Sequence, residues 1–351
     1  MRIALYANAP VLIVGDIDRG GVFAHLFGTV ALLSEEERRL VKGFIINRFR
    51  GDPTLLGSAL SDIERLTGVA VLGVVPWIHD HGIPEEDAVA IERRTDQPSR
   101  FEGVDVAVIR FPRIANFDDF DPLEDEPDVR VRYVDRSQIL GEPDLIVLPG
   151  TKSTIADLAW MRRNGLDVAI HNAQLSGASL LGICGGYQML GRRIEDRDGF
   201  ESSTRFAEGL GLLNVDTHFK SEKVTRQVQA SITSGTGIFE HLNGACVTGY
   251  EIHAGITSES DGYVALRRSN DSVGLGTVGA DGWTFGCYLH GLFANTEWRQ
   301  TILSNIARRR GRRFRPHLAP SQDERFDRLA DVLAEALDVP AILTLLRPQA
   351  G

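Results

Sequence analysis

The residues best suited to chemistry lie in Leu180-Leu181-Gly182-Ile183-Cys184-Gly185-Gly186-Tyr187-Gln188-Met189-Leu190, where an apolar run enters Gly-x-Cys-x-Gly and leaves as a helical stretch. This is the thiol counterpart of a nucleophile elbow. A sharp strand-to-helix turn strains its central residue, and only small neighbours can pass the adjoining backbone. Cys184 is then expected at the carboxyl edge of a sheet and the positive end of a helix, where the thiolate is favoured. A free cysteine after an apolar strand can instead be a small core hydrophobe. A core residue, however, has no need of glycine on both sides.

A thiol nucleophile needs a base. Of nine histidines, His290 lies within Trp283 to Phe293 at the end of an aromatic-rich strand signal, and strand ends are where sites on α/β sheets gather. Acyl chemistry also needs oxyanion donors: the Gly185 N–H is one, and Gly150 in the turn Pro149-Gly150-Thr151-Lys152 supplies a second. Glu251 and His253 flank Ile252 at strand spacing, which puts both on one face. They either line the cleft or form a surface ion pair. Near the start, Val11 to Val14 runs into Gly15-Asp16-Ile17-Asp18-Arg19-Gly20-Gly21. That turn is either a capped βα connection or a site where N–H groups and Arg19 meet phosphate or carboxylate while Asp16 and Asp18 hold Mg²⁺.

Strands and turns must position these groups. Short β-branched runs alternate with amphipathic stretches: Val11 to Val14 then Val22 to Leu33, Gly43 to Ile46 then Thr54 to Thr67, then Val69 to Val75. This pattern predicts parallel βαβ units. The charged stretch Ile83 to Gly103 reads as a linker, with a boundary near Arg100. Beyond it, Val104 to Ile109, Leu145 to Leu148 and Ser179 to Ile183 read as strands, with a helix over Ile155 to Asn164. Asn116 to Asp128, acidic and with two prolines, is a solvated connection or the flank of a site. After Gly209 the runs are short and Gly-separated, and Asp323 to Leu337 has helical spacing. The expected plan is a first domain over 1–100, a second over 101–310 and a helical tail over 311–351, in line with roughly 150 residues per domain.

Apolar residues make up 43% and charged residues 25% of the 351, which excludes extended disorder. A formal charge of −10 argues against nucleic-acid or anionic-membrane partners. The Arg308 to Arg315 run reads as a solvated helix end. Cys184, Cys246 and Cys287 form no CxxC, so neither a disulfide framework nor a zinc site is expected. With no secretory signal and no run near ~20 apolar residues, the expected location is the cytoplasm.

Pro149-Gly150-Thr151-Lys152-Ser153-Thr154, the stretch around Cys184, Gly249-Tyr250-Glu251-Ile252-His253 and Tyr288-Leu289-His290-Gly291-Leu292-Phe293 closely resemble the glutamine amidotransferase domain of the cobyric acid synthases. The resemblance covers about Val104 to Asn305, and Asn116 to Pro127 resembles that domain's lead-in. It implies a class I, flavodoxin-like α/β domain without a metal. In it Cys184 attacks the glutamine side-chain amide, a thioester forms, ammonia leaves and water releases glutamate, with His290 as base. More distant relatives carry Glu two residues after this His. Position 292 here is Leu, so His290 must be oriented by another group.

The Asp16 stretch, Ile46-Asn47-Arg48-Phe49-Arg50-Gly51-Asp52 and Val75-Pro76-Trp77 resemble the same family's ATP-dependent synthetase domain, a P-loop-type, dethiobiotin synthetase-like parallel sheet. This places Asn47 where that fold recognises a nucleotide base. The phosphate loop G-x-x-x-x-G-K-[ST] occurs nowhere in the 351 residues, so the comparison sets Met1 just before a middle strand and the domain is expected to be partial. The resemblance implies amidation of the b, d, e and g carboxylates of adenosylcobyrinic acid a,c-diamide in cobalamin biosynthesis. Glutamine and the corrinoid are the implied partners, ATP and Mg²⁺ the co-substrates, and no prosthetic group is bound. A related amidotransferase on cobyrinic acid or a cell-wall precursor, and a non-catalytic remnant, are the competing readings.

Overall fold

In the amino-terminal part, three β-branched runs form parallel strands β1 (Val11–Asp16), β2 (Val41–Phe49) and β3 (Val71–Pro76), in the order β1-β2-β3. Helices α1 (Arg2–Ala7), α2 (Val22–Leu32), α3 (Glu35–Leu40) and α4 (Ala59–Thr67) accompany them. Val22, Leu26 and Val30 of α2, at helical spacing, meet Phe44 and Ile46 of β2 in a small core. The computed structural model describes residues 1–78, 101–258, 264–271, 273–318 and 320–346. It divides the chain into one unit of Met1–Ile83 with Pro320–Gly351 and a second of Pro84–Ala319. The linker expected over Ile83 to Gly103, with its boundary near Arg100, lies almost wholly outside the described residues.

The helical tail expected over 311–351 is helical from Gln322 and belongs, from Pro320, to the first unit. The helix Gln322–Ala336 packs on β3, and Leu337 forms an antiparallel bridge with Gly73. An amphipathic helix needs a surface for its apolar stripe, and here β3 provides it.

The second unit carries a 12-stranded sheet. Its strands are β4 (Val104–Ile109), β5 (Val129–Val134), β6 (Leu145–Leu148), β7 (Ser179–Ile183), β8 (Arg193–Glu195), β9 (Phe206–Glu208), β10 (Asp216–Ile232), β11 (Cys246–Thr257), β12 (Val264–Arg268), β13 (Gly274–Val278), β14 (Thr284–Cys287) and β15 (Leu289–His290). The main path runs β15-β11-β10-β12-β13-β14-β7-β6-β4-β5, parallel from β14 to β5 and antiparallel before it. Val104, Val106 and Val108 of β4 enter one core, and Ala107 and Ile109 enter the other. This period-2 division is what a strand covered on both faces requires. Helices α5 (Asp121–Glu124), α6 (Thr154–Arg163), α7 (Leu166–Leu175), α8 (Gly185–Leu190) and α9 (Thr296–Arg310) complete the unit.

One strand here was not expected, and two sequence expectations change. β5, Val-Arg-Val-Arg-Tyr-Val, has no apolar run, because Arg130 and Arg132 turn inward to the nearly buried Asp105 at 2.9 and 2.8 Å. The stretch after Gly209 is not a set of short runs: β10 spans 17 residues and pairs along its length with β11. The arginine run is only in part the solvated end expected: Arg308, Arg313 and Arg315 are exposed, while Arg310 and Arg312 close on fully buried Asp144 at 3.1 and 3.0 Å.

Candidate active site

Cys184 stands between β7 and α8 with φ 52° and ψ −108°. Such backbone costs of order 1–3 kcal/mol for a residue with a Cβ, and it persists only where the surroundings fix it. A Cβ on Gly186 would lie 1.9 Å from the Leu148 carbonyl oxygen, and one on Gly182 would lie 2.7 Å from the Gly186 carbonyl. The two glycines therefore let α8 turn back across the sheet.

The sulfur opens on a cavity of ≈ 450 Å³, shared by Gly150, Thr151, Lys152, Gln188, Glu201, Lys223, His253 and His290. Its S–H donates to the Ile252 carbonyl at 3.5 Å. Gly150 lies between the two reacting groups, since a Cβ there would be 3.0 Å from His290 Cε1 and 3.8 Å from Cys184 Cβ. Its carbonyl accepts from the Ala115 N–H at 2.9 Å, which anchors the turn. Gly185 sits beneath Thr151 rather than on the cavity wall. As the first residue of α8, its N–H has no intrahelical partner.

His290 is oriented by Asp119, which sequence reading left inside an acidic connection. Its Nδ1–H donates to Asp119 Oδ2 at 2.7 Å, and the Gly291 N–H donates to the other carboxylate oxygen at 2.7 Å. Asp119 is 4% and His290 1% exposed, so this pair is shielded from water. Tyr250 stacks on the imidazole, with centroids 5.2 Å apart at 17°. The Asn116 amide donates to the Tyr250 hydroxyl at 2.8 Å and lies 3.3 Å from Nδ1. Nε2, the other ring nitrogen, is buried and makes no hydrogen bond. Burial works against a charge on this ring, but the Asp119 hydrogen bond and the nearby Cys184 sulfur outweigh it and hold the pKa up at about 10.

His253 lines the cavity. Its ring stacks on Tyr288 with centroids 3.8 Å apart, and Nδ1–H donates to the Gly255 carbonyl at 2.8 Å. Glu251 does not line it, nor is it a surface pair: at 1% exposure it is held by Arg226 and Arg268. Burial would raise its pKa, but bonds from His253, Arg226 and Arg268 bring it down to about 2. Glu201, absent from the sequence reading, reaches the cavity wall and accepts from the Ile155 N–H at 3.0 Å. Burial raises its carboxyl pKa.

Residues 105–298 match the family described as CobB/CobQ-like glutamine amidotransferase domain. The whole chain is 44% identical to the cobyric acid synthase of Moorella thermoacetica, over 99% of this chain and 69% of that protein. It is also 44% identical to that of Synechococcus elongatus, over 99% and 70%. The chain belongs to the cobyric acid synthase family. It is accordingly a glutamine-type amidotransferase of cobalamin biosynthesis. A solved structure of PurLQS from Thermotoga maritima aligns with TM-score 0.44 and 22% identity, over 59% of this chain and 98% of that one.

The cobyric acid synthase resemblance of the first unit falls on the carboxyl edge of its small sheet. Asp16 ends β1 opposite Asn47 of β2. Asp16 Oδ1 accepts from the Asp18 N–H at 3.0 Å, while Oδ2 pairs with Arg48 at 3.2 Å and Arg19 at 3.7 Å. Asp18 pairs with Arg50 at 2.8 Å. Asn47 Oδ1 accepts from the Arg48 N–H at 2.9 Å. Half-exposed pairs like these hold only about 0.2–1 kcal/mol each. The four sequence-predicted residues are thus brought together, and Arg48, Arg50 and Trp77 join them. Among the described residues no group of three His, Cys, Asp or Glu could enclose a metal. Two carboxylates still suit Mg²⁺, which keeps most of its shell for water and phosphate.

Proposed function

We propose that the second unit hydrolyses glutamine through Cys184, His290 and Asp119, and that the ammonia amidates peripheral carboxylates of a corrinoid, in family terms the b, d, e and g groups of adenosylcobyrinic acid a,c-diamide. The observation that carries this is a strained cysteine sharing one cavity with a histidine whose far nitrogen is tied to a buried carboxylate.

With a pKa of about 10, His290 is protonated at neutral pH and shares the cavity with the Cys184 sulfur. The thiolate attacks the amide carbon. N–H groups of Gly150 and Gly185 receive the oxyanion. His290 Nε2–H passes its proton to the departing nitrogen, ammonia leaves and the thioester remains. The same nitrogen, now bare, takes a proton from water as water attacks the thioester, and glutamate leaves. Free glutamine also carries an ammonium and a carboxylate, for which Glu201 and the lysines 152 and 223 on the wall are suited partners.

In the first unit, Asp16 and Asp18 are the residues that would hold Mg²⁺, Arg19 would meet phosphate or carboxylate, and Asn47 a nucleotide base. ATP, when bound, supplies activation of the carboxylate. Among the described residues no helix is long and apolar enough to cross a membrane.

The test is to treat the purified chain with a diazoketone analogue of glutamine and weigh it. One adduct on Cys184, absent in Cys184→Ser, together with glutamate release from glutamine, is the expected result. Neither adduct nor glutamate would favour a non-catalytic remnant.

A further inference from the structure

We infer that Arg48 and Arg50 form an oxyanion-binding pair which Asp16 and Asp18 hold closed, so that an anionic ligand and a divalent cation bind the first unit cooperatively. The inference rests on reading this unit as the synthetase portion, and it deepens that reading by naming the exchange that would load it.

The pieces come from the ends of all three strands. β1 ends at Asp16, β2 shifts register between Ile46 and Phe49, and Trp77 follows β3. Within that irregularity Arg48 takes φ +63°, a conformation costly for a long side chain. It delivers the guanidinium to Asp16. Arg50 reaches Asp18 in the same way, and its guanidinium lies 3.6 Å from the centroid of the Trp77 ring, with that of Arg48 at 5.4 Å. Both arginines remain 52% exposed.

Exposed ion pairs add little stability, so strained backbone spent on forming one has no return in the fold alone. Such a pair is, however, easily exchanged. A carboxylate or phosphoryl oxyanion fits the planar guanidinium fork as well as aspartate does, and stacking on Trp77 keeps Arg50 in place while its partner changes. With Arg48 and Arg50 drawn off, Asp18 loses its arginine and Asp16 keeps only the looser Arg19 contact at 3.7 Å, while the Asp18 N–H bond holds the Asp16 carboxylate on the same turn. Two carboxylates with room for waters and ligand oxygens make a Mg²⁺ site. While the arginines neutralise them, they attract a cation poorly. Anion and cation then help each other by the same factor, as linkage requires.

The experiment is calorimetric titration of the full chain with Mg²⁺ and with sulfate, an oxyanion that pairs weakly with the metal. The Mg²⁺ Kd is expected to fall at least fivefold in saturating sulfate, and the sulfate Kd by the same factor in Mg²⁺. Arg48→Gly combined with Arg50→Gln keeps the left-handed backbone relaxed. It should lose sulfate binding and bind Mg²⁺ without sulfate as tightly as the parent does with it, while Arg48→Lys with Arg50→Lys retains part of the coupling. No binding of either ion, independent binding, or an unchanged double variant would overturn the inference. Metal-free ATP and a corrinoid polycarboxylate, each competing with sulfate, tell which source supplies the oxyanion. Coupling without competition by either keeps the exchange and sinks the synthetase reading. Competition without coupling does the reverse.

Discussion

At the scale of single residues, the orienting carboxylate reaches His290 from 171 positions upstream, not from two positions downstream. Cys184, His290 and Gly150 were legible because each sits in a short motif whose spacing encodes its geometry. Asp119 was not, because a loop carboxylate meets the histidine only through the tertiary fold, and in sequence it lies in an acidic run like many solvated ones. Leu292, at the place where more distant relatives carry Glu, is 1% exposed in a core with Phe293 and Trp298. Restoring that carboxylate should therefore fail: Leu292→Glu is expected to destabilise the protein by at least about 3 kcal/mol without raising glutaminase activity, checked by urea unfolding and glutamate release. Cys184→Ser should lose at least about a thousandfold in glutaminase kcat while keeping the parent's melting temperature within a few degrees.

At the scale of elements, the connection after β4 does two jobs. Ala115 and Lys152 hydrogen bonds and the Ile114–Thr151 bridge fasten it to the oxyanion turn, while Asn116 and Asp119 hold Tyr250 and His290. The elbow depends as heavily on backbone approach. Gly186→Ala would set a methyl 1.9 Å from the Leu148 carbonyl, and we expect a loss of at least about 2 kcal/mol from such overpacking, read by thermal melts. The elements around the elbow were legible from apolar runs: the helix expected over Ile155 to Asn164 is Thr154–Arg163, and the strand at Ser179 to Ile183 is as expected. β5 and the long β10 were not: β5 turns Arg130 and Arg132 inward to Asp105, and the buried residues of β10, Thr217 and Phe219 at one end and Val228, Ala230 and Ile232 at the other, are separated by an exposed polar stretch.

At the scale of the whole molecule, two buried charge clusters in the second unit set opposite pH limits. The His290 pKa rises from 6.5 to about 10 on folding, so its contribution is complete below about pH 6.5 and is lost as pH climbs through 10. Glu251 falls from 4.5 to about 2, so its contribution is present above about pH 4.5 and is lost as pH drops towards 2. Glu251→Gln should cost about 3 kcal/mol at pH 7 by leaving buried Arg268 with only the half-exposed Asp271 as a partner, and it should flatten the acid limb of a stability–pH curve while sparing the alkaline one. Composition and motif order announced two α/β parts, but the return of the Gln322–Ala336 helix to β3 was invisible in the sequence, because amphipathic spacing shows that a helix needs a surface without saying which.

The most direct measurement is steady-state glutamine hydrolysis by Asp119→Asn beside the parent. Asn keeps the size of the side chain but leaves the imidazole without the carboxylate that fixes its tautomer. Glutaminase kcat is expected to fall by about 10²–10⁴ with KM within a few fold, and the alkaline loss of stability should shrink in the same variant. An Asp119→Asn protein with the parent's kcat would contradict a cysteine, histidine and aspartate working as one unit.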